Sequence, residues 1–144
     1  MRIAGLQKLT LLDFPGRTAA TVFTPGCNFR CPFCHNAYLV TGGAPGSTAD
    51  DVPLEEFFAF LGKRQGLLDG VCITGGEPLM QPGLADFCAR VHDLGFAVKL
   101  DTNGSFPDRL RALAEAGLVD HVAMAVKNAP ARYEETVGVP GFDL

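Results

Sequence analysis

The strongest constraint on this chain is a repeated alternation of short β-branched runs with amphipathic stretches. Thr18 to Phe23 (TAATVF) is β-branched and apolar and stops at Pro25-Gly26, which predicts a first strand. Leu54, Phe57, Phe58 and Leu61 fall at helical spacing, with Asp50 or Asp51 placed to cap the start and Pro53 suited to the first turn. Val71 to Thr74 (VCIT) predicts a second strand broken by Gly75-Gly76. Leu84, Phe87, Cys88 and Val91 predict a helix stopped by Gly95. A third strand over Phe96 to Leu100 leads to Asp101, and Leu110, Leu113 and Ala114 mark a helix stopped by Gly117. Val119 to Val126 predicts a fourth strand, and Pro130 to Val137 the first turns of a fourth helix. Strands alternating with helices at this spacing build parallel β/α units. A complete eight-unit barrel takes about 250 residues, so 144 residues hold about half of one. The expected fold is α/β, an open and incomplete parallel barrel of about four β/α units in a single domain, 1–144.

Two regions stand outside that rhythm. The first 17 residues read as an extension, with Asp13-Phe14-Pro15-Gly16 a turn signal. Residues 41–48 (TGGAPGST) read as a mobile surface loop. With 12 Lys and Arg against 16 Asp and Glu, the net charge is −4 and only 19% of residues are charged. That balance disfavours bulk binding to nucleic acid or anionic membranes. No apolar run approaches the roughly 18–20 residues of a membrane helix, and MRIAGLQKLT lacks the features of a secretory signal. The expected location is therefore the cytoplasm.

Cys27, Cys31 and Cys34 lie within eight positions on the loop after the first strand, spaced C-x3-C-x2-C, whereas Cys72 and Cys88 stand alone. Reduced cytosolic thiols clustered in this way point to metal binding or redox chemistry. Three thiolates on one loop can hold three irons of a cubane iron–sulfur cluster and leave the fourth iron open. Two other readings remain. Cys27, Cys31, Cys34 and His35 form an accepted set for structural zinc, although His35 adjoins Cys34 where most zinc sites use separated pairs. Cys31-Pro32-Phe33-Cys34 could be a redox dithiol, which leaves Cys27 without a role.

The segment GCNFRCPFCHN, with LQKLTLLDFPG before it, resembles the radical S-adenosylmethionine (SAM) enzymes. Within them it is most similar to the activating proteins of glycyl-radical enzymes, those of anaerobic ribonucleoside-triphosphate reductase in particular. The likeness runs from about Ile3 to Val139. It implies a barrel of the radical SAM type, a 4Fe–4S cluster on Cys27, Cys31 and Cys34, and SAM chelating the open iron. It further implies reductive cleavage of SAM to a 5′-deoxyadenosyl radical that takes a hydrogen from a glycine Cα of a partner enzyme. A flavodoxin- or ferredoxin-like protein would supply the electron. A pyruvate formate-lyase type of target, or another peptide substrate, is the alternative within this chemistry. A non-catalytic zinc module or degenerate fragment is the alternative outside it.

By the same resemblance, Thr74-Gly75-Gly76-Glu77-Pro78 brings Gly75, Gly76, Glu77 and Pro78 to the methionine amino group. Asp101, Thr102 and Asn103 of the DTNG segment line the ribose side, and Lys127 pairs with the SAM carboxylate. His35 and Asn36 complete the set from the cysteine loop, and Phe33 either stacks near the adenine or packs within its loop. Each has an ordinary reading too: a tight Gly-Gly turn, an Asx turn before a helix, an exposed lysine at a strand end. The implied chemistry requires no general base or nucleophile, and no catalytic residue is expected beyond the cluster and SAM. The family's usual aspartate is replaced by Ala125, which weighs against a bound cation, and the family's later β/α units are expected to be missing. Cys72 and Cys88 read as packing residues. His92 and His121 show no paired carboxylate at useful spacing, and Lys63 and Arg64 suit a helix end.

Overall fold

The computed structural model describes residues 1–41, 51–142 and 144. The stretch 41–48 read as a mobile loop lies, Thr41 apart, outside the described residues, as does Asp50. The elements run β1 (Gly5–Thr10), β2 (Ala19–Thr24), α1 (Ala37–Val40), α2 (Leu54–Gly62), β3 (Gly70–Gly75), α3 (Leu84–Asp93), β4 (Ala97–Thr102), α4 (Pro107–Glu115), β5 (His121–Met124) and α5 (Tyr133–Val137). They form one five-stranded sheet in the order β1-β2-β3-β4-β5. Strands β2 to β5 are parallel, as the β/α rhythm requires, and β1 is antiparallel to β2. The spacing predicts the open parallel half-barrel that β2 to β5 form; the antiparallel β1 at its edge is an addition to it.

Parity along the strands separates two faces. Ala20, Val22, Val71, Ile73, Val98 and Leu100 are fully buried and join the main core with Phe57, Phe58 and Leu61 of α2, Phe87, Cys88 and Val91 of α3, and Leu113 of α4. Phe57 stacks on Phe87 with ring centroids 5.2 Å apart. The opposite face carries Thr21, Cys72, Lys99 and His121 side by side in register. A polar row on one face and an apolar one on the other tells which side holds the chemistry.

The 17-residue extension supplies β1, where Gly5 to Gln7 pair with Phe23 to Thr21 before the register shifts towards Thr10. Its Asp13-Phe14 turn tucks under the sheet. Phe14 is 3% exposed, its ring lies 6.0 Å from that of His121, and Asp13 accepts a 2.6 Å bond from Thr21 Oγ1. A Cβ on Gly70, at the start of β3, would come within 2.7 Å of the Phe14 ring. The turn therefore closes the amino-terminal end of the half-barrel.

Other details differ from the sequence reading. The predicted Val119–Val126 strand is regular only from His121 to Met124, as the edge of the sheet, with Ala125 adding one more bond to Thr102. Asp51 does not cap α2, whose cap position is Pro53; it pairs with Arg2 at 2.7 Å instead. His92 does have a carboxylate partner. Its Nε2 lies 2.8 Å from Asp120, which also accepts from the Val98 amide, so α3 is tied to the turn entering β5.

Candidate active site

The cysteine loop springs from the carboxyl end of β2, where parallel β/α folds gather their sites. The Gly26 amide donates to Leu39 at 2.7 Å and the Cys27 amide to Val40 at 3.1 Å, so the loop is folded back on α1, an element the sequence did not signal. Phe29 is 2% exposed and packs edge-on against Tyr133 and Phe142, while the Arg30 amide donates to Val137. The α5 segment thus backs the loop from behind.

Cys27, Cys31 and Cys34 are free, partly exposed thiols. Burial pushes the Cys27 thiol up, partly offset by the 3.4 Å bond from the Phe29 amide. Burial raises Cys31 too, against the pull of the Lys127 charge. All three line one cavity of about 660 Å³ between this loop and the carboxyl ends of β3, β4 and β5, a size in the range of ligand sites.

The glycine turn after β3 meets the cysteine loop backbone to backbone. The Gly76 amide donates to Thr24 and the Glu77 amide to Gly26, both at 2.8 Å. A Cβ on Gly76 would lie 1.9 Å from the Gly26 carbonyl oxygen, so only glycine fits. Gly75 and Gly76 line the cavity, whereas Glu77 and Pro78 do not. Pro78 is buried at the start of a single 3-10 turn. Glu77, with no exposed surface, turns inward and accepts from Leu79 N–H at 2.9 Å, Thr102 Oγ1 at 2.8 Å and Asn103 N–H at 2.7 Å. Burial raises its pKa, and these three bonds and Lys127 oppose the rise. Glu77 is thereby a clamp between the turn after β3 and the end of β4.

From β4, Asp101, Thr102 and Asn103 reach the cavity, as do Phe33, His35 and Asn36 from the cysteine loop and Lys127 beyond β5. Phe33 is 53% exposed, at the mouth. Asn103 Nδ2 donates to Asn28 at 2.9 Å and lies 3.9 Å from Cys27 Sγ; Asn28 in turn donates to Ser105 at 2.8 Å. This amide relay joins the cysteine loop to β4. Asn28 escaped the sequence reading because its partners are about 75 positions away, and Ser105, bonded to Asn103 two positions before it, joins the relay only through Asn28. Lys99 escaped it too: it lines the cavity from within a strand.

Three unpaired thiols on one wall fit a cluster that takes three protein ligands. Among the described residues, no three His, Cys, Asp or Glu side chains are drawn together as a single ion would require. Also among the described residues, no helix is long and apolar enough to cross a membrane.

Comparison with known proteins agrees with this geometry. Residues 21–143 match the model of the radical SAM superfamily. A Methanocaldococcus jannaschii protein named as a glycyl-radical enzyme activating enzyme is 34% identical over 94% of this chain and 54% of its own length. A pyruvate formate-lyase-activating enzyme from Clostridium pasteurianum is 33% identical over 72% of this chain and 43% of its own. A 7-carboxy-7-deazaguanine synthase from Thermoplasma acidophilum is 31% identical over 74% of this chain and 47% of its own. The structure of QueE from Escherichia coli shares the fold, with a TM-score of 0.53 and 24% identity over 72% of this chain and 52% of that one. The chain spans about half the length of the curated relatives it matches. It belongs to the radical SAM superfamily, whose cofactors are a 4Fe–4S cluster and S-adenosylmethionine.

Proposed function

We propose that the protein is an activase that generates a glycyl radical on a partner enzyme, anaerobic ribonucleoside-triphosphate reductase being the leading target. The observation that carries this reading is the convergence of three free thiols, the Gly75-Gly76 turn and the Asp101–Asn103 segment on one cavity. The Methanocaldococcus jannaschii relative, matched over nearly the whole of this chain, supports the choice of target class. A pyruvate formate-lyase type of target is the nearest alternative.

When bound, the cluster and SAM supply one-electron cleavage of a sulfonium and a hydrogen-atom acceptor. The chain's own residues do the rest. Cys27, Cys31 and Cys34 hold the cluster. Gly75 and Gly76 would let backbone approach the amino acid end of SAM, Asp101 to Asn103 would border its ribose, and Lys127 would pair with its carboxylate. Phe33, His35 and Asn36 complete the wall, while Glu77 and Pro78 act from beneath it by holding the glycine turn. A flavodoxin- or ferredoxin-like donor is the proposed electron source, in the cytoplasm.

The test is anaerobic reconstitution with iron and sulfide, followed by dithionite, SAM and the candidate reductase. The expected result is 5′-deoxyadenosine together with a glycyl-radical EPR signal on the reductase. Deoxyadenosine without that signal, on the reductase or on a pyruvate formate-lyase type enzyme, would overturn the target and favour a small-molecule chemistry such as that of the deazaguanine synthases. Stoichiometric zinc in a colourless protein would overturn the whole reading.

A further inference from the structure

Among the described residues that line the cavity, Lys99 is the one Lys, Arg, Asp or Glu that the proposed cofactor set leaves without a task. Its Cα pairs with Cys72 on β3 and His121 on β5, placing it on the polar face of the sheet. The side chain is only 7% exposed and forms an ion pair with Asp101. Its Nζ also lies 3.7 Å from Cys72 Sγ, and it lines the same cavity as the three cluster cysteines. Asp101 shares that wall, one pleat nearer the rim.

An ammonium carries three N–H donors. Two have described acceptors, the Asp101 carboxylate and the Cys72 sulfur. Sulfur is a weak acceptor, and burial pushes the Cys72 thiol up to about 12, so it stays neutral. Asp101 is then the anion that balances the lysine, and at least one strong donor remains for a group entering the cavity. An apolar pair would fill such a floor as well as an ion pair does, but it would lack that donor. Because the Lys99–Asp101 pair is already neutral, a second anion beside it would have to be buried without a countercharge. An uncharged carbonyl meets no such penalty.

We propose that Lys99 is a substrate-binding residue whose free N–H donates to a main-chain carbonyl oxygen of the segment that enters the cavity. The choice of a peptide carbonyl rests on the reading of the target as a protein. Lys99 then fixes the depth of that segment from the floor, while the cysteine loop faces it from the rim.

The test uses the reconstituted chain with SAM and a minimal peptide, N-acetylglycine N-methylamide, carrying two deuteriums on its Cα. Calorimetry reads its affinity. Mass spectrometry reads deuterium transferred to 5′-deoxyadenosine as the C–D bond breaks homolytically, dithionite supplying the electron that cleaves SAM. Loss of a charge-assisted bond predicts about tenfold weaker binding for Lys99→Met, with most of it recovered in Lys99→Arg. N-acetylglycine, which ends in a carboxylate, should bind more weakly than the amide. Should Lys99→Met not fold, Lys99→Gln, too short to reach, serves the same comparison. Equal affinity in the wild type and Lys99→Met, no peptide binding to the wild type, or a preference for the carboxylate would each overturn the proposal. Lys99-dependent binding without deuterium transfer would leave it standing and sink the glycyl-radical reading. Transfer that ignores Lys99 would do the reverse.

Discussion

Placing a Cβ at Gly76 would set it 1.9 Å from the Gly26 carbonyl oxygen, and backbone on both sides leaves nothing flexible to yield. Gly76→Ala should therefore lower stability by about 1–3 kcal/mol, the usual range for overpacking, and part the glycine turn from the cysteine loop. Thermal melts and iron content after reconstitution check both effects. Cys31→Ala should abolish the cluster, because two thiolates cannot hold a cubane with one open iron; Cys88→Ala, in the helix core, should retain iron and sulfide at wild-type levels. Cys27 and Cys31 are raised above their ordinary range by burial, so the apo protein holds them as thiols and loading releases protons. Cluster assembly at fixed iron and sulfide should accordingly rise from about pH 7 to about pH 9. A yield flat across that range would mean the thiols are already ionised. The cysteine spacing made these three residues legible from the sequence. Lys99 was not, because FAVKL reads as a strand whichever way its lysine points. Glu77 was legible only as part of a ligand-facing turn; its inward orientation depends on Thr102 and Asn103, about 25 positions later.

Among the elements, α2 and α3 were readable because their apolar residues recur at helical spacing, and Phe57, Phe58, Phe87 and Val91 all reach the core. Phe57 is fully buried and stacked on Phe87, so Phe57→Ala should cost about 3–5 kcal/mol, measured by chemical denaturation. Strand β1 was missed for a physical reason. It lies at the sheet edge with three of its six residues exposed, and its register shifts between Gln7 and Thr10, which blurs any period-two pattern. The Glu77 clamp acts at this scale as well, tying the turn after β3 to the end of β4. Glu77→Gln keeps the shape but offers one acceptor oxygen where two were used. The Asn103 amide or its neighbours should then be left short of a partner, at a cost of about 1–3 kcal/mol. Faster hydrogen exchange at Asn103, with α2 and α3 amides unchanged, would identify the loss as local.

For the molecule as a whole, alternation of strands and helices foretold a half-barrel with its site at the carboxyl ends of the strands. What it could not foretell was the closure of the other end, because the Phe14 plug depends on contacts with Gly70 and His121 far along the chain. Nor could it place the amide relay of Asn28, Asn103 and Ser105, which exists only once β4 lies beside β3. One contact between loops reaches further than its two hydrogen bonds suggest. Because the Gly76 and Glu77 amides already grip Thr24 and Gly26 through the polypeptide alone, the two loops are ordered relative to each other before any cofactor arrives. Association therefore forfeits little conformational entropy at this junction, and what binding energy the cavity gains is left for holding its contents rather than for ordering its walls.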